Sequence, residues 1–213
     1  MKLKGFIFDL DGTLINSLPI VRGSLHNTLL KFSGRFYSDQ EVSALFGPSE
    51  EGIFKKLFPD QWRESLEFYL SEYERLHAQF TEPFPGIIEA LTYLQKQHIK
   101  LALVSGKGPG SMAISLKYSG LKPFFEVVLT GSELQASKPE HINQVLKLWD
   151  CAPEEAAYVG DIAYDVQAAQ ETGVLAISAL WSETAQSQKV LAMHPDQAFF
   201  KVEAFMDWLK EVL

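Results

Sequence analysis

Short apolar runs recur along the chain, each closed by small or polar residues, with helical periodicity between most of them. The runs are Phe6-Ile7-Phe8, Leu101 to Val104, Val127-Val128-Leu129, Tyr158-Val159 and Val174 to Ile177. Ile87, Ile88, Leu91 and Leu94 share a helical face, as do Ile142, Val145, Leu146 and Trp149. Val202, Phe205, Met206 and Leu209 mark a closing helix. Parallel strands cannot be joined by tight turns and need crossovers, usually helical. The alternation therefore predicts an α/β fold: a parallel sheet with helices on both faces. With 213 residues, 46% of them hydrophobic, the chain can bury a proper core.

Residues 16–82 break this rhythm. Val21, Leu25, Leu29 and Phe32 repeat at helical spacing, as do Leu66, Tyr69, Tyr73, Leu76 and Phe80, and no strand-like run interrupts them. The pattern predicts an all-helical insert at 16–82, carried by an α/β core made of 1–15 and 83–213. Pro83, Pro85 and Gly86 mark the return to the core, because proline stops a helix and biases its neighbour toward extended geometry.

A net charge of −8 argues against general nucleic-acid binding, which needs clustered Lys and Arg. The single cysteine, Cys151, cannot close an intramolecular disulfide, which fits a reducing compartment. The N-terminus reaches Asp9 after a few apolar residues, too soon for a signal-peptide core, and no run approaches the ~18 apolar residues of a membrane helix. A soluble, cytoplasmic protein with no membrane partner is expected. Of other chemistries, the five histidines never take the close spacing of a zinc helix, and no GxxxxGK[ST] loop is present.

Candidate chemistry follows four of the apolar runs. Asp9-Leu10-Asp11-Gly12-Thr13 comes directly after the first, where ligands of open parallel sheets bind. Side chains two apart on an extended segment point the same way, so an extended backbone brings Asp9 and Asp11 together; such a pair calls for a proton or a cation. Ser105-Gly106 offers a hydroxyl and a backbone amide. Lys138-Pro139 opens a helix, placing an ammonium beside an N-terminus that favours anions. Gly160-Asp161 and Asp165 supply further carboxylates, with Asp161 readable as a helix N-cap or as a metal ligand. Together they are the equipment of phosphoryl transfer: a nucleophile, metal ligands and cations facing the phosphoryl oxygens.

In this order the residues resemble the haloacid dehalogenase-like hydrolase superfamily, especially its phosphoglycolate phosphatase-like members, along the whole chain. The resemblance implies a Rossmann-like core with a small helical cap and Mg²⁺-dependent hydrolysis of a small phosphorylated metabolite. Asp9 would attack phosphorus to form an aspartyl-phosphate, and Asp11 would serve as general acid and then base. The Asp9 side chain, the Asp11 backbone carbonyl and the Asp161 side chain would hold Mg²⁺, with Asp165 supporting the site from behind. Ser105, Gly106 and Lys138 would bind the phosphoryl group. Pro48, Ser49 and Glu50, in Phe46-Gly47-Pro48-Ser49-Glu50-Glu51, resemble the cap loop that faces the active site, and equally read as a turn with a Ser N-cap. Asn16 stands where many relatives are acidic, Lys107 lies in an unusual Gly106-Lys107-Gly108-Pro109-Gly110 stretch, and His141 replaces a common second proline. These departures bear on substrate preference. Phosphoglycolate, pyrophosphate, sugar phosphates and nucleotides all fit the motifs. A sugar phosphomutase is the alternative on the same fold, and a non-catalytic phosphate-binding protein is the non-enzymatic one.

Overall fold

The computed structural model describes residues 3–79, 82–134 and 137–213. Strand β1 (Gly5–Phe8) leads into helices α1 (Leu18–Ser33), α2 (Asp39–Ser43), α3 (Glu50–Leu57) and α4 (Trp62–His77). Strands and helices then alternate: α5 (Ile87–Lys96), β2 (Lys100–Val104), α6 (Pro109–Ser119), β3 (Val127–Leu129), α7 (Lys138–Trp149), β4 (Ala156–Gly160) and α8 (Ala163–Thr172). The chain closes with β5 (Leu175–Ala179), α9 (Ser187–Leu191), β6 (Gln197–Phe199) and α10 (Val202–Val212).

The six strands form one parallel sheet in the order β3-β2-β1-β4-β5-β6. Strand periodicity divides the apolar side chains between its faces. Phe6, Phe8, Leu101 and Leu103 pack with Leu91 and Leu94 of α5 and Phe205 and Leu209 of α10. Ile7, Ala102, Val104 and Tyr158 pack with Ile142 and Val145 of α7 and Val166 and Ala169 of α8. Helices α1 to α4 build a third cluster from Val21, Leu25, Leu29, Phe54, Tyr69 and Tyr73. Two crossings join these helices to the sheet and lie side by side. Ile15 bridges Pro83 antiparallel, and the Phe84 amide donates to the Leu14 carbonyl at 2.9 Å.

The α/β architecture is as the sequence predicts, with differences in detail. Strand β6 is absent from the sequence reading, since a three-residue, half-buried strand at the sheet edge shows neither an apolar run nor clear alternation. Ile88 does not join the buried face of α5; it is 39% exposed, while Ile87, Ala90, Leu91 and Leu94 carry the packing. Phe32 and Met206 are only partly buried, and Phe80 lies outside the described residues. Among the described residues, no helix is long and apolar enough to cross a membrane.

Sheet and helix meet closely at the start of β1. A Cβ at Gly5 would lie 2.3 Å from Cζ3 and 2.7 Å from Cε3 of Trp149, which is buried against that face. Gly5→Ala is expected to cost about 1–3 kcal/mol by overpacking. Urea unfolding should show a lower midpoint with an unchanged slope; an unchanged midpoint would mean that the indole moves aside freely.

Candidate active site

In the observed strand order, the connections from β1 run one way through β2 to β3 and the other way through β4 to β6. The crevice at such a reversal opens beyond the carboxyl ends of the central strands. Asp9 follows β1 directly, its amide donating to the Val159 carbonyl of β4 at 2.9 Å. Its side chain is nearly buried: Oδ1 accepts from the Leu10 amide and Oδ2 from Lys138 Nζ, both at 2.7 Å. Lys138 is the first residue of α7 and is buried, and it also pairs with Asp165. Burial works against its charge, but Asp165 and Asp9 outweigh it and hold the ammonium protonated well above the usual lysine range.

Asp165 Oδ2 accepts from the Asp161 and Ile162 amides, each at 3.0 Å. Asp165, then, satisfies the start of α8, where Ile162 occupies the N-cap position, and the N-cap reading of Asp161 does not hold. Freed of capping, Asp161 turns its carboxylate toward the β1 loop, where Oδ1 accepts from the Thr13 hydroxyl at 3.1 Å. Gly12 permits this approach: its φ is +77°, and a Cβ there would lie 2.2 Å from Asp161 Oδ2. Carboxylate oxygens of Asp9, Asp161 and Asp165 fall within 4.8 Å of one another. Burial first, then Asp165 and Asp9, push the Asp161 carboxyl well above its ordinary range. Three buried carboxylates sharing one lysine fit a divalent cation with oxygen ligands.

Asp11 opens into the same cavity, a space of about 510 Å³. The Ser17 hydroxyl donates to one of its oxygens, and Lys107 Nζ stands 3.2 Å from the other. Burial raises the Asp11 carboxyl, Asp9 adds to this, and Lys107 and Ser17 oppose it; the balance is upward. Ser105 and Gly106 line the cavity beyond β2, with Ser105 almost wholly buried.

The helical layer supplies the facing wall. Glu50 opens α3 and reaches across to the sheet domain, where Oε2 accepts from the Gly108 amide at 2.7 Å and Oε1 from the Ser111 hydroxyl at 2.6 Å. Pro48 lines the cavity beside it. Ser49 does not: it is buried, its amide donates to the Ser132 carbonyl at 2.8 Å, and its hydroxyl makes no capping bond. Asn16 is exposed and outside the cavity lining, because the turn after Ile15 directs Ser17 inward instead. Lys107 is the site residue that the sequence reading undervalued. It is buried between Asp11 and Glu50, 4.0 Å from the latter, with its ammonium 4.5 Å from the centre of the Tyr73 ring. Its position directly after Ser105-Gly106 at a strand end was the available signal.

A model of haloacid dehalogenase-like hydrolases matches residues 6–179. The chain belongs to that family. It is 29% identical to the pyrophosphatase PpaX of Bacillus mycoides (strain KBAB4), over 100% of this chain and 99% of the relative. It is 32% identical to the pyrophosphatase PpaX of Bacillus cereus (strain ATCC 10987 / NRS 248), over 85% of each. A predicted phosphoglycolate phosphatase from Haemophilus somnus 129PT shares the fold at a TM-score of 0.82 and 22% identity, covering 100% of this chain and 99% of that one. The protein is an enzyme, a haloacid dehalogenase-like phosphatase.

The charge arrangement around Lys138 has a direct consequence for stability. Lys138→Met leaves Asp9, Asp161 and Asp165 without their ammonium, and losing one partner of a buried ion pair costs about 3–5 kcal/mol. Burial already holds the Asp161 and Asp165 carboxyls above their unfolded value of about 4, and loss of the ammonium raises them further. Their penalty is absent below that value and grows as pH rises through the raised one. Urea unfolding of metal-free protein should therefore show a larger deficit at pH 7 than at pH 5. A deficit that is flat with pH would place the loss in packing rather than in charge.

Proposed function

We propose that the enzyme is a Mg²⁺-dependent phosphatase of small phosphate monoesters that works through a covalent phosphate on Asp9. The observation that carries this is the setting of Asp9: a buried carboxylate fixed by the Leu10 amide and Lys138, grouped with Asp161, and sharing a cavity with Asp11. One Asp9 oxygen attacks phosphorus as the bond to the leaving oxygen breaks. Asp11, raised by burial and so able to carry a proton, gives it to that leaving oxygen. The Asp11 carboxylate then takes a proton from water as the water attacks phosphorus. The bond to Asp9 breaks and inorganic phosphate leaves. The Ser105 hydroxyl, the Gly106 amide and Lys138 bind the phosphoryl oxygens, while Asp165 holds Lys138 in place.

Asp9, Asp161 and the backbone carbonyl of Asp11 would hold the Mg²⁺, which supplies the positive charge that lets an anionic ester approach an anionic nucleophile. Residues 16–82 act as a cap over this cavity, which closes it to bulk water. Pyrophosphate is the second reading of the substrate, favoured by the likeness to the Bacillus pyrophosphatases.

Covalent chemistry is tested at phosphorus. A substrate with a chiral, isotopically labelled phosphoryl group should give inorganic phosphate with net retention, because two in-line displacements each invert. Asp9→Asn should abolish turnover, and Asp11→Asn should slow it by about 10²–10⁴-fold. Net inversion would remove Asp9 from the nucleophile's role even with Mg²⁺-dependent activity intact.

Metal binding is tested without activity. Millimolar Mg²⁺ should raise the thermal midpoint of the wild type, since a ligand bound only to the folded state stabilises it. The rise should be larger at pH 7 than at pH 5, because the raised Asp161 carboxyl binds a proton in place of metal at the lower pH. Asp161→Asn should abolish the rise. An equal rise in that variant would move the metal elsewhere.

A further inference from the structure

We infer that the cavity accepts phosphate monoesters whose leaving group is uncharged and largely apolar, and that Glu50 turns away a second anion. The inference rests on the phosphatase reading above and concerns the end of the substrate that the phosphoryl-binding residues do not touch. Those residues, Asp9, Ser105 and Lys138, lie on the sheet side of the cavity. The opposite wall comes from the helical layer and is formed chiefly by Leu18, Val21, Leu25, Phe46 and Ile53. Among the described residues of that layer, Glu50 is the one charged group lining the cavity.

Glu50 is not free to swing aside. Its two oxygens accept from the Gly108 amide and the Ser111 hydroxyl, and the Tyr69 hydroxyl donates to it at 3.3 Å. The nearest cation on this side is Lys107, whose side chain is 2% exposed and already divided between Asp11 and Glu50. A carboxylate or second phosphate on the leaving group would be stripped of water against an apolar wall and set facing Glu50. Burying a charge without a partner is costly, and facing like charges adds to the cost. An alkyl or aryl leaving group instead gains from the same wall, in a volume that holds several carbon atoms. Pyrophosphate, for which the Bacillus relatives are named, is an anion at both ends. This cavity therefore disfavours it, and likewise a sugar bisphosphate with a second phosphate to seat.

The test compares kcat/KM of the full chain with Mg²⁺ on three substrates: butyl phosphate, a size-matched phosphate monoester ending in a carboxylate, and inorganic pyrophosphate. Butyl phosphate should lead both anions by about tenfold or more. Glu50→Gln should narrow that lead, mainly by improving the anionic substrates. Because Glu50 also holds the Gly108 turn, Leu18→Lys serves as a second variant that adds a cation to the same wall and leaves the Glu50 contacts alone. It should narrow the lead as well. A wild type that prefers pyrophosphate or the carboxylate ester overturns the inference while leaving the phosphatase reading standing. A lead unchanged in both variants overturns the role of Glu50. Failure to release phosphate from any of the three, with Mg²⁺ bound as judged by the thermal midpoint, removes the phosphatase reading and the inference together.

Discussion

The ammonium of Lys138, buried between Asp9 and Asp165, is the contact on which the rest of the site depends. It joins the end of β1 to the starts of α7 and α8, which follow it by more than a hundred residues in sequence. Without a cation there, three carboxylates would repel one another in a space that excludes water. Even with it, the cluster keeps excess negative charge. That residual charge suits the cluster to a divalent cation with oxygen ligands.

The helical layer answers a similar constraint on the other side of the cavity. Glu50 occupies the backbone and hydroxyl donors at the start of α6, which would otherwise be open to a ligand or water. A second contact lies nearby, where the Ser49 amide meets the Ser132 carbonyl and Lys55 pairs with Glu133. Polar contacts at the cavity rim thus join this layer to the start of α6, beside the apolar packing of Leu70 and Ile114 between α4 and α6. Polar contacts of this kind can break and reform at small net cost, because water replaces each partner.

The sequence showed the alternation that builds the sheet, because buried parallel strands are apolar on both faces and stand out as runs. It did not show β6, a three-residue edge strand with few residues to bury. Asp9, Asp11, Ser105, Lys138 and Asp161 were legible because each follows an apolar run, and strand ends are where an open sheet gathers its ligands. Roles that depend on side-chain direction were not legible. Asp161 and Asp165 stand four apart, and either could cap α8; only the fold shows Asp165 turned back to the amides and Asp161 turned toward Thr13. Likewise Ser17, not Asn16, faces Asp11, a difference of one residue in a turn that periodicity does not specify. Lys107 stood out in the sequence as a departure bearing on substrate preference, but its pairing with Asp11 and Glu50 follows from a burial that lysine rarely adopts.

Charge balance ties the two sides of the cavity together. Five carboxylates, those of Asp9, Asp11, Glu50, Asp161 and Asp165, face two ammoniums, Lys107 and Lys138. A divalent cation held there would remove most of the excess, and a proton on Asp11, favoured by its burial, would remove the remainder. The site then meets a phosphoryl group while roughly neutral, with its positive charge concentrated on the sheet side. Lys107 is part of that division. By pairing with both Asp11 and Glu50, it makes the helical side neutral but leaves no surplus there for an anion. A phosphatase that recognised its leaving group by charge would need an unpaired cation on this wall. Here recognition is left to apolar area, which discriminates weakly among similar hydrophobic groups and strongly against charge.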